Sequence, residues 1–203
     1  MSALAIMGGT FNPIHYGHLL SANQVRYDLN CDKVLFIPAF KSPYKVGVET
    51  LAAEHRFKMV QLAISNNDFF GVSDIEIKRR GVSYTVDTLA EIKKNYPSEE
   101  LYFIAGVDAV IGITGWKNWK VILDMCSVIA VSRPGCKIED LWQTFDSMGD
   151  NAYKEKIIFM DVLYIPISSS EIRKRVKNGE PIKYMLPDSV EKYIEYNGLY
   201  RDI

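Results

Sequence analysis

Gly8-Gly9-Thr10-Phe11-Asn12-Pro13-Ile14-His15-Tyr16-Gly17-His18-Leu19 decides how this chain is read. The five residues before it, Ala3-Leu4-Ala5-Ile6-Met7, are all apolar, and the run is short enough for one buried strand. The stretch after it, 19–29, is amphipathic and reads as a helix. A glycine-rich connection between strand and helix is where an α/β protein turns backbone N–H groups toward a phosphate. Two of the chain's three histidines, His15 and His18, lie in this turn, with Gly17 between them allowing close backbone approach. The pattern predicts a loop that holds a phosphate and places imidazole donors on it.

Outward from the turn, four more continuous apolar runs follow: 34–38, 101–105, 127–131 and 157–160. Continuous apolarity, without alternation, fits parallel strands covered on both faces. Helical patterns at 52–64, 86–94 and 138–145 separate them, and a weak edge strand is expected at 71–77. The fold class is therefore α/β: a Rossmann-like, doubly wound parallel sheet with right-handed crossovers. The last forty residues change character. Helices are expected at 168–177 and 188–197, divided by Asn178-Gly179-Glu180-Pro181. The expectation is one domain over 1–203, with a Rossmann-like core at 1–166 and a small helical C-terminal part at 167–203.

Composition narrows the function. With 203 residues and a net charge of -1, nothing favours a nucleic-acid polymer or an anionic membrane surface. No apolar run approaches the roughly 20 residues that span a bilayer, and no signal peptide is apparent. Cys31, Cys126 and Cys136 are odd in number and lack close pairing, which fits a reducing cytoplasm and not a disulfide framework or a structural zinc site. Length and charge leave a homo-oligomer open.

A second constellation is Ile167-Ser168-Ser169-Ser170-Glu171-Ile172-Arg173. Ser168 with Glu171 three residues on has the spacing of a capping box, so a helix starts here. A helix start carries unsatisfied N–H groups and partial positive charge. Ser169 and Ser170 can add hydroxyl donors, and Arg173, one turn in, can grip an anion with its fork. Segment 39–50, which contains Lys45, is a long connection after a strand, where functional loops concentrate.

Together these motifs resemble the nucleotidyltransferase superfamily that carries an H-x-G-H signature, and within it the bacterial nicotinate-nucleotide adenylyltransferases. Further pieces are similar across nearly the whole chain: Ser42-Pro43-Tyr44-Lys45, Arg80-Gly81-Val82-Ser83-Tyr84-Thr85, Gly106-x-Asp108 followed by Trp116 and Trp119, Arg133-Pro134-Gly135, and Asn197-Gly198-Leu199-Tyr200. Two positions depart from the family pattern. Asn12 stands where an Asp is usual, and Tyr44 where a His is usual.

The resemblance implies adenylyl transfer from ATP to nicotinate mononucleotide in NAD biosynthesis, by direct in-line attack without a covalent intermediate. It implies His15, His18, Lys45 and Arg173 as the catalytic set. ATP would be bound by Gly8, Gly9, Thr10, Phe11, His18, Gly106, Asp108, Arg133, Ser169, Ser170 and Arg173. Nicotinate mononucleotide would be bound by Thr10, Asn12, Lys45, Ser83, Tyr84, Thr85 and Trp116. Mg2+ would ride on the ATP phosphates and not in a protein cage. Three other readings compete. A pantetheine-phosphate adenylyltransferase or glycerol-phosphate cytidylyltransferase would not need the Ser83-Tyr84-Thr85 and Gly106-x-Asp108…Trp116 segments. A regulatory module that has lost catalysis is hinted at only by Asn12 and Tyr44. A nicotinamide-dependent oxidoreductase would need fingerprint glycines that are absent.

Overall fold

The computed structural model describes residues 2–43, 50–132, 139–148 and 151–201. In chain order its elements begin with β1 (Ala3–Gly9), α1 (Tyr16–Asp28), β2 (Lys33–Pro38), α2 (Ala53–Ile64), β3 (Phe70–Val72), α3 (Ile75–Arg79) and α4 (Thr85–Asn95). They continue with β4 (Glu100–Gly106), α5 (Val107–Ile111), α6 (Trp119–Met125), β5 (Ser127–Val131), α7 (Glu139–Met148), β6 (Ile157–Met160), α8 (Ser169–Lys177) and α9 (Asp188–Tyr196). The strands form one six-stranded sheet in the order β3-β2-β1-β4-β5-β6. That is the order of a doubly wound Rossmann-like sheet, whose growth reverses after β3 when β4 is added on the other side of β1. Pairing is parallel, with Leu4 opposite Leu101, Phe103 opposite Val128 and Val128 opposite Ile157. Among the described residues no helix is long and apolar enough to cross a membrane.

The chain divides into two compact units. One comprises Met1–Gly8, Ser21–Val34 and Tyr84–Tyr164. Its core is built from strand residues Ala5, Ile6, Ile104, Val128 and Ile129, covered by Leu89, Ile92, Ile122 and Leu123, all essentially inaccessible to water. Each such Val, Leu or Ile side chain contributes about 1.5–3 kcal/mol by leaving water. Trp119 extends this core, its ring meeting Phe145 at 5.6 Å and Tyr153 at 5.3 Å, both edge-on.

The other unit comprises Gly9–Leu20, Leu35–Ser83 and Ile165–Ile203. Its core gathers Ile14, Phe36, Ile37, Met59, Val60, Ile172, Leu186, Val190 and Ile194. Helix α2 packs along α9, where Tyr193 Oη lies 2.9 Å from His55 Nδ1 and the Ser189 hydroxyl donates to the Leu62 carbonyl at 3.0 Å.

The apolar runs all became strands, and the two C-terminal helices are α8 and α9. Three details differ from expectation. Helix α1 starts at Tyr16, a turn earlier than 19. The expected strand at 71–77 is a three-residue strand followed by helix α3. The helix wins because Asp74 and Lys78 pair one turn apart at 3.0 Å, and because Glu76 turns inward to 6 % exposure. The helix then ends at Arg80 and Gly81, at φ of 60° and 73°. Helices α5 and α6 were not expected at all. Each is under two turns, too short to establish a period in the sequence.

Candidate active site

The glycine pair ends strand β1, and its role is space. A Cβ on Gly9 would sit 3.0 Å from Phe11 Cζ, because the Phe11 ring folds back over the strand end from a backbone at φ 46°. A Cβ on Gly8 would meet Phe103 Cζ at 3.2 Å. Neither glycine has positive φ; close approach is what requires them.

From Gly9 to Pro13, four main-chain carbonyls are held by donors from elsewhere in the same unit. Ala39 N donates to Gly9 O at 2.8 Å. Arg56 Nη1 donates to Thr10 O at 2.7 Å. Arg173 Nη1 donates to Asn12 O at 2.8 Å, and the Ser169 hydroxyl to Pro13 O at 2.8 Å. The Asn12 side chain is also held, its Oδ1 accepting from the Tyr200 hydroxyl at 2.8 Å. A planar trans peptide points its N–H opposite to its C=O. Anchoring the Gly9 and Thr10 carbonyls therefore turns the N–H groups of Thr10 and Phe11 the other way, in the manner of an anion-binding nest.

The histidines follow directly. His15 is 7 % exposed and His18 is half-buried. Their rings stack with centroids 3.8 Å apart, and the edge of Phe11 lies against His18 at 5.2 Å. His18 Nδ1 accepts from the His15 backbone N–H at 3.3 Å. An accepting Nδ1 leaves the ring proton of His18 on Nε2. Gly17 makes this possible, since a Cβ there would lie 3.0 Å from His15 Nδ1.

Helix α8 brings the second motif to the same turn. Ser168 caps it, its hydroxyl accepting from Glu171 N at 3.1 Å. Only half of the expected capping box forms, because the Glu171 carboxylate pairs with Arg175 at 2.9 Å instead of reaching back. Arg173 Nη2 lies 3.3 Å from Ser170 Oγ. Of its five N–H donors the guanidinium spends two on these contacts, leaving three for an anion. His15, His18, Thr10, Phe11, Asn12, Ser169, Ser170 and Arg173 are thus joined by direct hydrogen bonds or ring contacts through one short turn.

The sequence reading missed two residues here. Arg56 is 1 % exposed, and its guanidinium donates to Thr10 O, Phe40 O (3.1 Å) and Leu51 O (2.9 Å). Its signal was available: it is a cation in phase with the buried face of α2, formed by Ala53, Val60 and Ala63. Tyr200 is the other. Burial pushes its phenol well above the usual tyrosine value. Beside Arg56 lies a cleft of about 900 Å³ lined by Thr10, Phe40, Lys41, Ser42, Lys78 and Arg80, among others. Ser83 braces its wall. Its hydroxyl accepts from Phe40 N at 3.0 Å and its N–H donates to Lys41 O at 2.9 Å.

Other candidate residues belong to the first unit. Tyr84 is the N-cap residue of α4 and makes no side-chain cap hydrogen bond, and Thr85 opens the helix. Lys117 Nζ lies 4.5 Å from the Tyr84 ring centre and 3.1 Å from Asp87. Gly106 precedes α5, and Asp108 in its first turn is exposed. Trp116 is half-buried, edge-on to Phe103 at 6.0 Å, in contrast to core-filling Trp119. Lys45 and Arg133, with the Tyr44 departure, lie outside the described residues. No group of three or more His, Cys, Asp or Glu able to hold a metal occurs among the described residues.

A Rossmann-like sheet whose first strand runs into an H-x-G-H turn, pinned to a serine-capped helix, defines a nucleotidyltransferase. A cytidylyltransferase-like family model matches residues 6–175, and the chain belongs to that family. Curated relatives narrow it. A probable nicotinate-nucleotide adenylyltransferase of Desulfitobacterium hafniense (strain Y51) is 45 % identical, over 98 % of this chain and 95 % of its own length. One of the same description from Moorella thermoacetica is 44 % identical, over 98 % and 91 %. Within the wider family the chain thus groups with the nicotinate-nucleotide adenylyltransferases. Solved structures share its fold. The Plasmodium falciparum nicotinic acid mononucleotide adenylyltransferase complexed with NaAD superposes with a TM-score of 0.78 at 21 % identity, covering 98 % of each chain. A putative nicotinate-nucleotide adenylyltransferase from Vibrio parahaemolyticus gives 0.72 at 20 % identity, covering all of this chain and 98 % of the other.

Proposed function

We propose that the chain transfers the adenylyl group of ATP to nicotinate mononucleotide, giving deamido-NAD and pyrophosphate. The observation that carries this reading is the turn at 9–13. Four of its five carbonyls are tied back, an imidazole N–H stands at its end, and a guanidinium with spare donors is bound to it, which suits a polyphosphate. The assignment to nicotinate mononucleotide follows the relatives' descriptions.

A phosphate oxygen of nicotinate mononucleotide attacks the α-phosphorus of ATP, and the bond from that phosphorus to the β-bridging oxygen breaks. The nucleophile is already anionic, so no general base is required. The protein's task is to hold two polyanions in line and to stabilise shifting charge. We assign His18 Nε2–H to a non-bridging α-phosphate oxygen, with His15 stacked behind it. Thr10 and Phe11 supply backbone N–H donors beside it, and Gly8 and Gly9, which make room for the Phe103 and Phe11 rings, carry the backbone to the ATP. Ser169, Ser170 and Arg173 take the β- and γ-phosphates. Lys45 bridges the reacting phosphates, and Arg133 contacts ATP. Asp108, after Gly106, takes the ATP ribose. Asn12 and Ser83 shape the acceptor's surroundings, the N–H groups at Tyr84 and Thr85 receive the nicotinate carboxylate, and Trp116 stacks on the pyridine ring. Mg2+ bound through ATP phosphates and water would neutralise charge on the leaving pyrophosphate; the donors around the turn, N–H groups and cations, fit a ligand that brings its own metal.

The helical C-terminal part belongs to the same catalytic domain in this reading, since it provides Ser169, Arg173 and Tyr200. A cytoplasmic setting fits Cys31 and Cys126, both free and buried, with burial pushing their thiols up to about 11 and about 12. The test is pyrophosphate release from ATP with nicotinate mononucleotide, run beside nicotinamide mononucleotide. Release is expected with the acid and much slower release with the amide. Release with neither would refute the activity, and equal release with both would refute the proposed carboxylate pocket.

A further inference from the structure

We propose that Arg56 is a positioning residue for the transfer reaction: one buried guanidinium fixes Thr10 in the phosphate turn and both ends of the 40–51 segment in a single geometry. Its three hydrogen bonds go to three separate stretches, Thr10 O at 2.7 Å, Phe40 O at 3.1 Å and Leu51 O at 2.9 Å. Through these bonds one side chain ties the phosphate turn to the segment that follows β2.

Packing alone does not explain an arginine here. Its neighbours on the buried face of α2 are Ala53, Met59, Val60, Ala63 and Ile64, and a methionine would fill similar space. A guanidinium that is 1 % exposed has lost its hydration, and desolvation is the leading influence on it. Its recovery comes from carbonyl dipoles: among the described residues no carboxylate is within ion-pair distance of it. Glu54 and Glu76 act on it only through space. A cation solvated by carbonyls and not by a carboxylate keeps its field, which extends to the adjoining cleft beside Lys41 and Arg80. The geometry also explains why a fork is used. Nε, Nη1 and Nη2 diverge in one plane and reach three carbonyls, which an ammonium on a flexible stem cannot do together.

The consequence lies on the link from packing to function. Holding Thr10 O fixes the direction of the next N–H, that of Phe11, one of the two assigned above to the phosphates. A loss of Arg56 therefore acts at a distance on transition-state geometry, without removing a substrate contact. The kinetic part of this inference rests on the adenylyl-transfer reading; the structural part does not.

Two measurements on Arg56→Lys and Arg56→Met separate the possibilities. The first is amide hydrogen exchange on the ligand-free protein. Exchange is expected to rise in peptides covering 9–14 and 39–43, with the peptide covering 100–106 unchanged. A uniform rise across the chain, or no rise, would overturn the proposal, and so would failure of both variants to fold, since the role would then be stability alone. The second is pyrophosphate release with ATP and nicotinate mononucleotide. For variants that pass the first test, kcat should fall at least about tenfold, because small misplacement of reacting groups has effects of that size or larger. KM for ATP should change much less. A kcat near wild type in both folded variants would also overturn it. If the wild-type protein releases no pyrophosphate, the activity reading fails by itself, and the exchange pattern still decides whether Arg56 organises the turn.

Discussion

Replacing Tyr200 by Phe removes one oxygen and leaves the ring. Tyr200 is 1 % exposed and Asn12 is 4 % exposed, and their only mutual bond is the hydroxyl donating to Asn12 Oδ1 at 2.8 Å. No sizeable cavity forms, so the cost is the stranded acceptor: about 1–3 kcal/mol for a buried polar atom that loses its partner. For a chain of this length that corresponds to roughly 2–12 °C in Tm, at about 2–4 °C per kcal/mol. Calorimetry and urea titration of wild type, Tyr200→Phe, Asn12→Ala and the double variant form a thermodynamic cycle. The pair should couple by roughly 0.5–2 kcal/mol, so the two substitutions together cost less than their sum. Alkaline pH adds a signature. Burial raises the folded-state phenol above its ordinary value of 10, so the neutral form is favoured in the native protein. The unfolded chain then loses its proton first, and the stability from this group is full below pH 10 and declines above it. Tyr200→Phe should make the alkaline decline shallower. Strict additivity in the cycle, or a Tm within about 1 °C of wild type, would refute the assignment of this hydroxyl as an anchor of the turn.

Other perturbations test the site more directly. His18→Ala should lower kcat about 10²–10³-fold with a modest change in KM, the pattern for a donor used mainly in the transition state; steady-state rates near wild type would remove His18 from that role. Arg173→Lys should weaken ATP binding measured by calorimetry, because a point charge replaces a fork that holds Asn12 O and still has donors to spare; native affinity would count against phosphate contact. The two tryptophans should separate. Trp119→Ala should cost about 3–5 kcal/mol of stability as a core truncation, whereas Trp116→Ala should leave Tm nearly unchanged and raise KM for nicotinate mononucleotide. The opposite assignment of effects would contradict the roles given to them.

The strands were legible because five separate apolar runs can be satisfied only in a buried parallel sheet. The strand at 70–72 was legible only as an edge, since its three residues are all half-buried and the helix beside it depends on local pairs such as Asp74 with Lys78. Helices α5 and α6 are short pieces whose apolar residues serve the core without repeating. In the site, the chemistry-bearing motifs were visible because histidines, serines and glycines in tight spacing are rare together. The anchors were less visible. Arg56 and Tyr200 act on backbone or amide oxygens, and a sequence read locally does not say which distant carbonyl a side chain will meet. An arginine on the apolar phase of a helix was the one hint, in step with Ala53, Val60 and Ala63.

The distances along the chain carry the last step. The side-chain donors that hold the turn are 46, 156, 161 and 188 residues away from the groups they bind, for Arg56, Ser169, Arg173 and Tyr200 respectively. No local segment can therefore make this phosphate turn alone. A peptide with free carbonyls and free N–H groups attracts cations and anions alike; a turn with four of its five carbonyls occupied presents mainly its N–H side. Selectivity for a polyphosphate thus arises when the unit closes, because closure removes the competing acceptors. Arg173 makes this economical. The same guanidinium that holds Asn12 O has N–H groups left for the ligand, so the group that builds the turn also reports whether it has been built. Loss of the C-terminal helices would strand the carbonyls of Asn12 and Pro13 and the Asn12 amide oxygen at once. Such a loss would reach phosphate binding through the turn itself, even with His15 and His18 untouched.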